Sequence, residues 1–420
     1  MKICDIVQFY SPLGGGVRRY IEDKSRRFTE TPGVQHIIII PSDQNAIEYQ
    51  FSSKVYHIKS LPLIGSISYR MLLNKKRIFA ILDEERPDII EVGDPYRSAW
   101  IALEGGKRLN APVVAFYHSD FPRALGRTIR RFCGGSVQTL LSAPINRYVV
   151  NLYNQMDATV VAGNRLQGIL KECGINNVAH IPLGTDVTKF HPNPNASRIR
   201  KELNLSKNDT LILFVGRLAR EKNIRALIRM MDDLNQNPGG PGRCHLLLVG
   251  DGELRRIVER ALAKNDSISW FRYCTDAKHL TAYYSAANVF LHAGIYETFG
   301  LTSLEAQACG ARVIIVKGGG MEDTVEGEFP QVMANSPHPA DLADAVRRVR
   351  ALPTSQAPEE RRQRIVERFS IELTIDRLLL LYHHLLDGKP ASEFTIDLKT
   401  KAHNLFTHES DRSTLYSSRP

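Results

Sequence analysis

Short runs of aliphatic and β-branched residues, bounded by Gly, Pro or Asp, recur along the chain. In the first half they occupy residues 2–9, 36–41, 89–92, 113–117, 158–162 and 179–181. Between several of them the apolar positions switch to helical spacing, as at residues 17–28 and 67–85. Strands that are apolar on both faces belong in a parallel sheet covered by helices on each side. The pattern predicts an α/β domain with strands and helices in alternation.

The pattern breaks at residues 184–208, where Pro, Asn, Thr and Asp interrupt it and only a short charged helix near 199–203 is predicted. A second series then follows, with strands predicted at 210–215, 245–249, 267–271, 287–292 and 312–316 and helices at 223–234, 252–264 and 340–352. A late helix is predicted at 370–386, its apolar positions being Leu373, Ile375, Leu378, Leu379, Leu381, Tyr382 and Leu385. The expected fold class is α/β, with two doubly wound Rossmann-like domains facing across a cleft. The expected divisions are a first domain at 1–184, a linker at 185–208, a second domain at 209–368, a crossing helix at 369–388 and a disordered tail at 389–420. In such sheets ligands bind at the C-terminal ends of the strands, so motifs that directly follow strands carry the most information.

Composition changes this picture in two ways. A chain of 420 residues and 47.3 kDa agrees with two domains, and 24% charged with 43% hydrophobic residues are ordinary globular values. The net charge of +10, however, calls for an anionic partner: nucleic acid, phosphate or a membrane surface. Residues 101–150 carry seven basic and two acidic side chains, half of that excess. There Arg123, Arg127, Arg130 and Arg131 alternate with Leu125, Ile129 and Phe132, as in elements that lie on membranes. No aromatic-interleaved basic sheet points to nucleic acid. The six cysteines show no metal-ligand spacing. The first residues read as a strand with Asp5 inside it rather than a signal peptide, and no apolar run is long enough to span a bilayer. The expected location is cytoplasmic, with peripheral attachment to the membrane's cytoplasmic face as its extension.

Four motifs follow predicted strands. The turn Pro12-Leu13-Gly14-Gly15-Gly16-Val17 lets the backbone approach a ligand and opens a helix whose first N–H groups are free for an anion. It also reads as a plain strand-to-helix turn. In Gly216-Arg217-Leu218-Ala219-Arg220-Glu221-Lys222-Asn223, Arg217 and Lys222 can converge on one anion, Arg as a fork and Lys as a point charge. Two solvated cations around Glu221 are the plainer alternative. In Tyr296-Glu297-Thr298-Phe299-Gly300-Leu301-Thr302-Ser303-Leu304-Glu305, a loop carboxylate, Glu297, precedes a helix start at which the amides of Phe299, Gly300 and Leu301 are exposed. Glu305 is expected in the first helical turn, where Thr302-x-x-Glu305 equally matches a capping box. His118, in Tyr117-His118-Ser119-Asp120-Phe121-Pro122, stands at a strand end, able to bond a hydroxyl or shuttle a proton, or to serve only as a loop residue. A further glycine turn, Lys317-Gly318-Gly319-Gly320, reads as structural.

Together these residues resemble the retaining nucleotide-sugar glycosyltransferases of the GT-B fold, glycosyltransferase family 4. The resemblance spans about residues 1–386. It rests on Val215-Gly216-Arg217 with Glu221-Lys222-Asn223, on Leu248-Val249-Gly250-Asp251-Gly252, and on Tyr296-Glu297-Thr298-Phe299-Gly300-Leu301 with Glu305-Ala306 and Ala308-Cys309-Gly310. It implies that Arg217 and Lys222 hold a donor diphosphate and that Glu305 bonds the ribose. Glu297 and the amides of Phe299, Gly300 and Leu301 would hold the donor sugar. Gly15 and Gly16 would approach the phosphate, and His118 would sit near the reacting centre. It also implies retention of anomeric configuration with no cofactor and no metal. The stretch from His118 to Pro122 resembles the branch that glycosylates membrane lipids, and a polysaccharide or small soluble acceptor is the alternative. The sequence departs from the family's usual residues at Arg272, Gln307 and Arg312, the first of which leaves the nucleobase open. An NAD-dependent oxidoreductase would need a third glycine where Arg19 stands and an acidic residue about 20 positions on, for which Asp43 is the only rough candidate. A non-catalytic sugar-nucleotide binder is the remaining class.

Overall fold

The computed structural model describes residues 1–10, 15–63, 69–118, 120–272, 277–325, 332–352 and 358–396. Residues 12–14 of the first glycine turn, Ser119, Tyr273, Cys274 and the tail beyond 396 lie outside the described residues. The chain divides into two units: Met1–Pro182 with Glu372 onward, and Leu183–Ile371.

The first unit is built on β1 (Lys2–Ile6), β2 (Gln35–Ser42), β3 (Ala46–Gln50), β4 (Ser53–Lys59), the small pair β5 (Leu61–Pro62) and β6 (Arg70–Met71), and then β7 (Ile89–Val92), β8 (Val113–Phe116), β9 (Ala158–Val161) and β10 (Val178–His180). Its main sheet runs β10-β9-β8-β7-β1-β2-β4-β3, parallel throughout except for the edge strand β3, which pairs antiparallel with β4. Every residue of β7, β8 and β9 is buried, as a sheet covered on both faces requires. The chain leaves β1 to one side and returns through β7 on the other, so the topological switch point lies between them.

The helix Gly16–Thr29 covers β1 and buries Lys24 completely. Its ammonium lies 2.8 Å from Asp5 Oδ1 and 3.1 Å from Glu91 Oε2. His36 Nε2 closes on Asp5 Oδ2 at 2.7 Å, and the Tyr20 hydroxyl donates to Glu91. Burial by itself would raise the Asp5 pKa, but Lys24 and His36 hold it below its ordinary value. The helix Ile371–Leu386 docks on this cluster through the Tyr382 hydroxyl, which meets Lys24 and Glu91, and through Asp376, 3.0 Å from Arg27.

The helix predicted at 67–85 starts later, at Lys75, where the Asn74 side chain accepts from the Arg77 amide as an N-cap. Arg70 and Met71 are in a strand pair instead, because the apolar spacing there fits either period and Leu61 and Pro62 supply a partner. The strands β3 and β4 and the helix Arg97–Leu109 were not predicted at all.

The second unit holds β11 (Thr210–Val215), β12 (Cys244–Val249), β13 (Ile268–Phe271), β14 (Val289–His292), β15 (Arg312–Val316) and β16 (Met333–Ala334). Their order is β13-β12-β11-β14-β15-β16, all parallel. This is the doubly wound dinucleotide-fold order, and its switch point falls between β11 and β14. Two departures from the expected residues act inside this unit. Gln307 is fully buried and donates to the Thr324 carbonyl at 2.9 Å, while Arg312 donates to the Val349 carbonyl at 3.0 Å.

Candidate active site

The loop leaving β11 is held by its backbone. Gly216 (φ 153°) and Gly250 (φ 139°) approach so closely that a Cβ on Gly250 would stand 2.0 Å from the Gly216 carbonyl oxygen. The Leu218 amide donates to Asp251 O at 3.0 Å. A short 3-10 turn, Arg220–Lys222, follows, and Asn223 closes it in the left-handed region at φ 54°, which Asn tolerates better than most residues. The Asn223 carboxamide donates to the Ala293 carbonyl at 2.7 Å, joining this loop to the one after β14.

That joint brings the charges together. Lys222, with 18% of its side chain exposed, touches Glu297 Oε1. Burial is the main cause that lowers the Lys222 pKa, to about 8; Glu221 opposes the fall and Arg217 adds to it. Arg217 remains exposed, its guanidinium 2.9 Å from Glu221 Oε1. Both loops leave strands that flank the switch point, where this fold class binds its ligands.

The β14 loop is shaped by three glycines. A Cβ on Gly294 would meet His292 Cε1 at 2.8 Å, one on Gly300 would meet Met321 Cε at 2.6 Å, and one on Gly320 would meet the Glu297 carbonyl oxygen at 2.1 Å. The turn around Gly320, read from sequence as structural, is thus the floor beneath Glu297. The helix Leu301–Ala308 starts after Gly300, which is its N-cap at φ 101°. Its first amides lack intrahelical acceptors, as at any helix start. Glu305 therefore lies in the second turn rather than the first. The capping-box alternative fails, because Gly300 and not Thr302 is the cap. Glu305 is 1% exposed and accepts from the Tyr284 hydroxyl at 2.8 Å.

In the first unit, Gly15 caps the helix Gly16–Thr29 at φ 124°, and a Cβ on Gly15 or Gly16 would meet nothing within 4 Å. His118 follows β8, its ring stacked on Phe116 at 4.3 Å and edge-on to Tyr20 at 5.2 Å. Burial, with Lys24 adding to it, pushes its pKa down to about 3. A neutral imidazole suits hydrogen bonding to a hydroxyl better than proton shuttling near neutral pH.

The residues missed from sequence are His292 and Asn223. His292 ends β14 and is 2% exposed; its Nδ1 accepts the Gly294 amide at 3.2 Å, and its Nε2 lies 3.4 Å from Glu297 Oε1. The signal was present, since His292 closes a strand just ahead of the Glu297 loop, much as His118 follows β8. Among the described residues no group of three or more His, Cys, Asp or Glu side chains is arranged to hold a metal ion.

The family model described as Glycosyltransferase Family 4 matches residues 14–189, and the one described as Glycosyl transferases group 1 matches residues 195–369. The chain belongs to glycosyltransferase family 4. This glycosyltransferase is 27% identical over 334 residues to a GDP-mannose-dependent alpha-mannosyltransferase of Corynebacterium glutamicum, covering 77% of this chain and 74% of that one. It is 24% identical over 371 residues to a GDP-mannose-dependent alpha-(1-6)-phosphatidylinositol dimannoside mannosyltransferase of Mycobacterium tuberculosis, covering 88% and 91%. Among solved structures, sucrose-phosphate synthase of Thermosynechococcus elongatus superposes with a TM-score of 0.67 at 20% identity, over 93% of this chain and all of the other. The fold is GT-B, with two Rossmann-like domains, and the enzyme is a nucleotide-sugar-dependent glycosyltransferase.

Proposed function

We propose that the enzyme transfers a hexose from its nucleotide-sugar donor to the hydroxyl of a membrane lipid, with retention of anomeric configuration. The observation that carries the donor half is the contact of Lys222 with Glu297 at the switch point of the second unit. When donor enters, the Lys222 ammonium and the Arg217 fork take the diphosphate, where negative charge grows as the glycosidic bond breaks. Glu297 accepts hydrogen bonds from the sugar hydroxyls. The amides of Phe299, Gly300 and Leu301 meet the same sugar at the positive end of the helix Leu301–Ala308. Glu305, fixed by Tyr284, takes the ribose. In the first unit, Gly15 and Gly16 give the phosphate an open backbone approach, and neutral His118 bonds a hydroxyl near the reacting carbon. No cofactor and no metal are assigned. Retention follows a front-face path in which the leaving phosphate accepts the acceptor's proton.

The lipid half has separate support. Arg123, Arg127, Arg130 and Arg131 are exposed on the helix Phe121–Cys133, which packs on the helix Gly135–Tyr153. The latter exposes Leu140 at 75% and, less fully, Val137 and Leu141. Cations beside apolar side chains suit an anionic bilayer surface. No described helix is long and apolar enough to cross a membrane, so contact would be peripheral. The names of two relatives favour GDP-mannose as donor.

The test is a transfer assay with GDP-mannose, UDP-glucose and ADP-glucose against vesicles containing phosphatidylinositol or diacylglycerol, with the product's anomeric configuration read by NMR. Transfer from GDP-mannose to the lipid with an α-linkage is expected. Transfer only to a soluble sugar would overturn the lipid assignment, and an inverted product would overturn the front-face path.

A further inference from the structure

His292 does no work in the reading above, yet its surroundings are unusually determined. It is the last residue of β14 and almost fully buried. Its ring lies beside Phe214 at 5.8 Å and Phe290 at 6.5 Å. Nδ1 accepts the Gly294 amide at 3.2 Å, so the ring proton of the neutral imidazole is placed on Nε2. Nε2 faces Glu297 Oε1 at 3.4 Å, the same oxygen that Lys222 touches. Gly294 has no room for a side chain, since a Cβ would meet both His292 Cε1 and the Glu221 carbonyl oxygen, and this fixes the loop against the ring. Burial and the nearby Lys222 charge push the His292 pKa down to about 3, so the ring donates as a neutral group and does not compete with Lys222 as a cation.

We infer that His292 is a positioning residue: its Nε2–H holds Glu297 Oε1, so that Oε2 is presented to the donor's hydroxyls when Lys222 leaves Glu297 for the diphosphate. Without it, Glu297 has Lys222 as its main polar partner at the moment the phosphate needs that ammonium. The two requirements then compete, and both binding and orientation of the sugar suffer.

This inference rests on the donor-binding role of Glu297, and the experiment separates the two. His292→Gln keeps a donor near the position of Nε2. His292→Asn keeps an acceptor for the Gly294 amide but cannot reach Glu297. Both are purified beside Glu297→Ala and wild type, checked by thermal melting, and assayed for kcat and donor KM. The expected result is a fall in kcat/KM of about a hundredfold in His292→Asn, shared between a lower kcat and a raised donor KM, with His292→Gln recovering most of it at an unchanged melting temperature. His292→Asn at wild-type kcat/KM, or folded His292→Gln no better than His292→Asn, overturns the inference. Full activity in Glu297→Ala would instead overturn the donor-site reading on which it stands.

Discussion

The two units place charge differently in similar sheets. In the first, Lys24, Asp5, Glu91 and His36 lie buried among the strands and the helix Gly16–Thr29, and Tyr382 joins them from the C-terminal helix. The strand ends around them carry open glycines and the neutral His118. In the second, the charged groups stand at the strand ends themselves, on two loops that flank the switch point, and they touch across it. A buried ion cluster whose members satisfy one another has no capacity left for a ligand, and its removal costs stability. A pair at a strand end can exchange one partner for a phosphate or a hydroxyl. On the proposed donor site, the same residue types are structural in one sheet and functional in the other, and position relative to the strand ends separates the two.

The sharpest way to break this contrast is Lys24→Met. It leaves Asp5 and Glu91 buried without their cation, which costs about 3–5 kcal/mol and lowers the first unit's melting transition by about 10 °C, while donor KM stays at the wild-type value. Scanning calorimetry and initial rates check both; an altered KM at unchanged melting temperature would reverse the contrast. Glu297→Ala is the mirror image, with a fall in kcat/KM of about 10²–10³ and little change in melting.

A third test uses pH. The Lys222 pKa is lowered to about 8 in the free enzyme, so its ammonium is present below that value and is lost as pH rises through it. Donor kcat/KM should therefore fall above about pH 8, and Lys222→Arg, charged throughout, should move that limb upward. His118 and His292, both held near 3, contribute no limb between about pH 5 and 8. The smallest effect concerns the surface. Replacing Arg127 and Arg130 with Gln should weaken co-sedimentation with anionic vesicles, and in wild type that binding should fall as salt rises. Salt-insensitive binding would remove the basic helix from the account.

The sheets were readable from sequence because strands such as Thr210–Val215 are apolar on both faces and lie between turn residues. Much of the first unit's edge was not. β3 is a two-sided edge strand with Ile47 and Tyr49 exposed, so it lacks the apolar face that betrays a strand. That Lys222 and Glu297 stand on loops leaving strands was legible, because the motifs that carry them begin where apolar strands end. The placement of Glu305 in the second turn was not, since Thr302-x-x-Glu305 also matches a capping box and nothing local in the sequence marks the left-handed Gly300 as the cap. His292 was passed over because it closes an apolar strand and reads as its last core residue. Only the fold reveals that its ring spans from Gly294 to Glu297. The buried Lys24 cluster was also invisible, since its members are scattered from residue 5 to residue 382 and meet only through the sheet register and the docked helix.

Donor binding turns on whether Lys222 meets the diphosphate. Calorimetric titration of wild type and Lys222→Ala with GDP, without acceptor, tests it most directly. Lys222→Ala should bind GDP at least about tenfold more weakly, the loss of one charge-assisted contact, at an unchanged melting temperature. Equal affinity in a folded Lys222→Ala would contradict it.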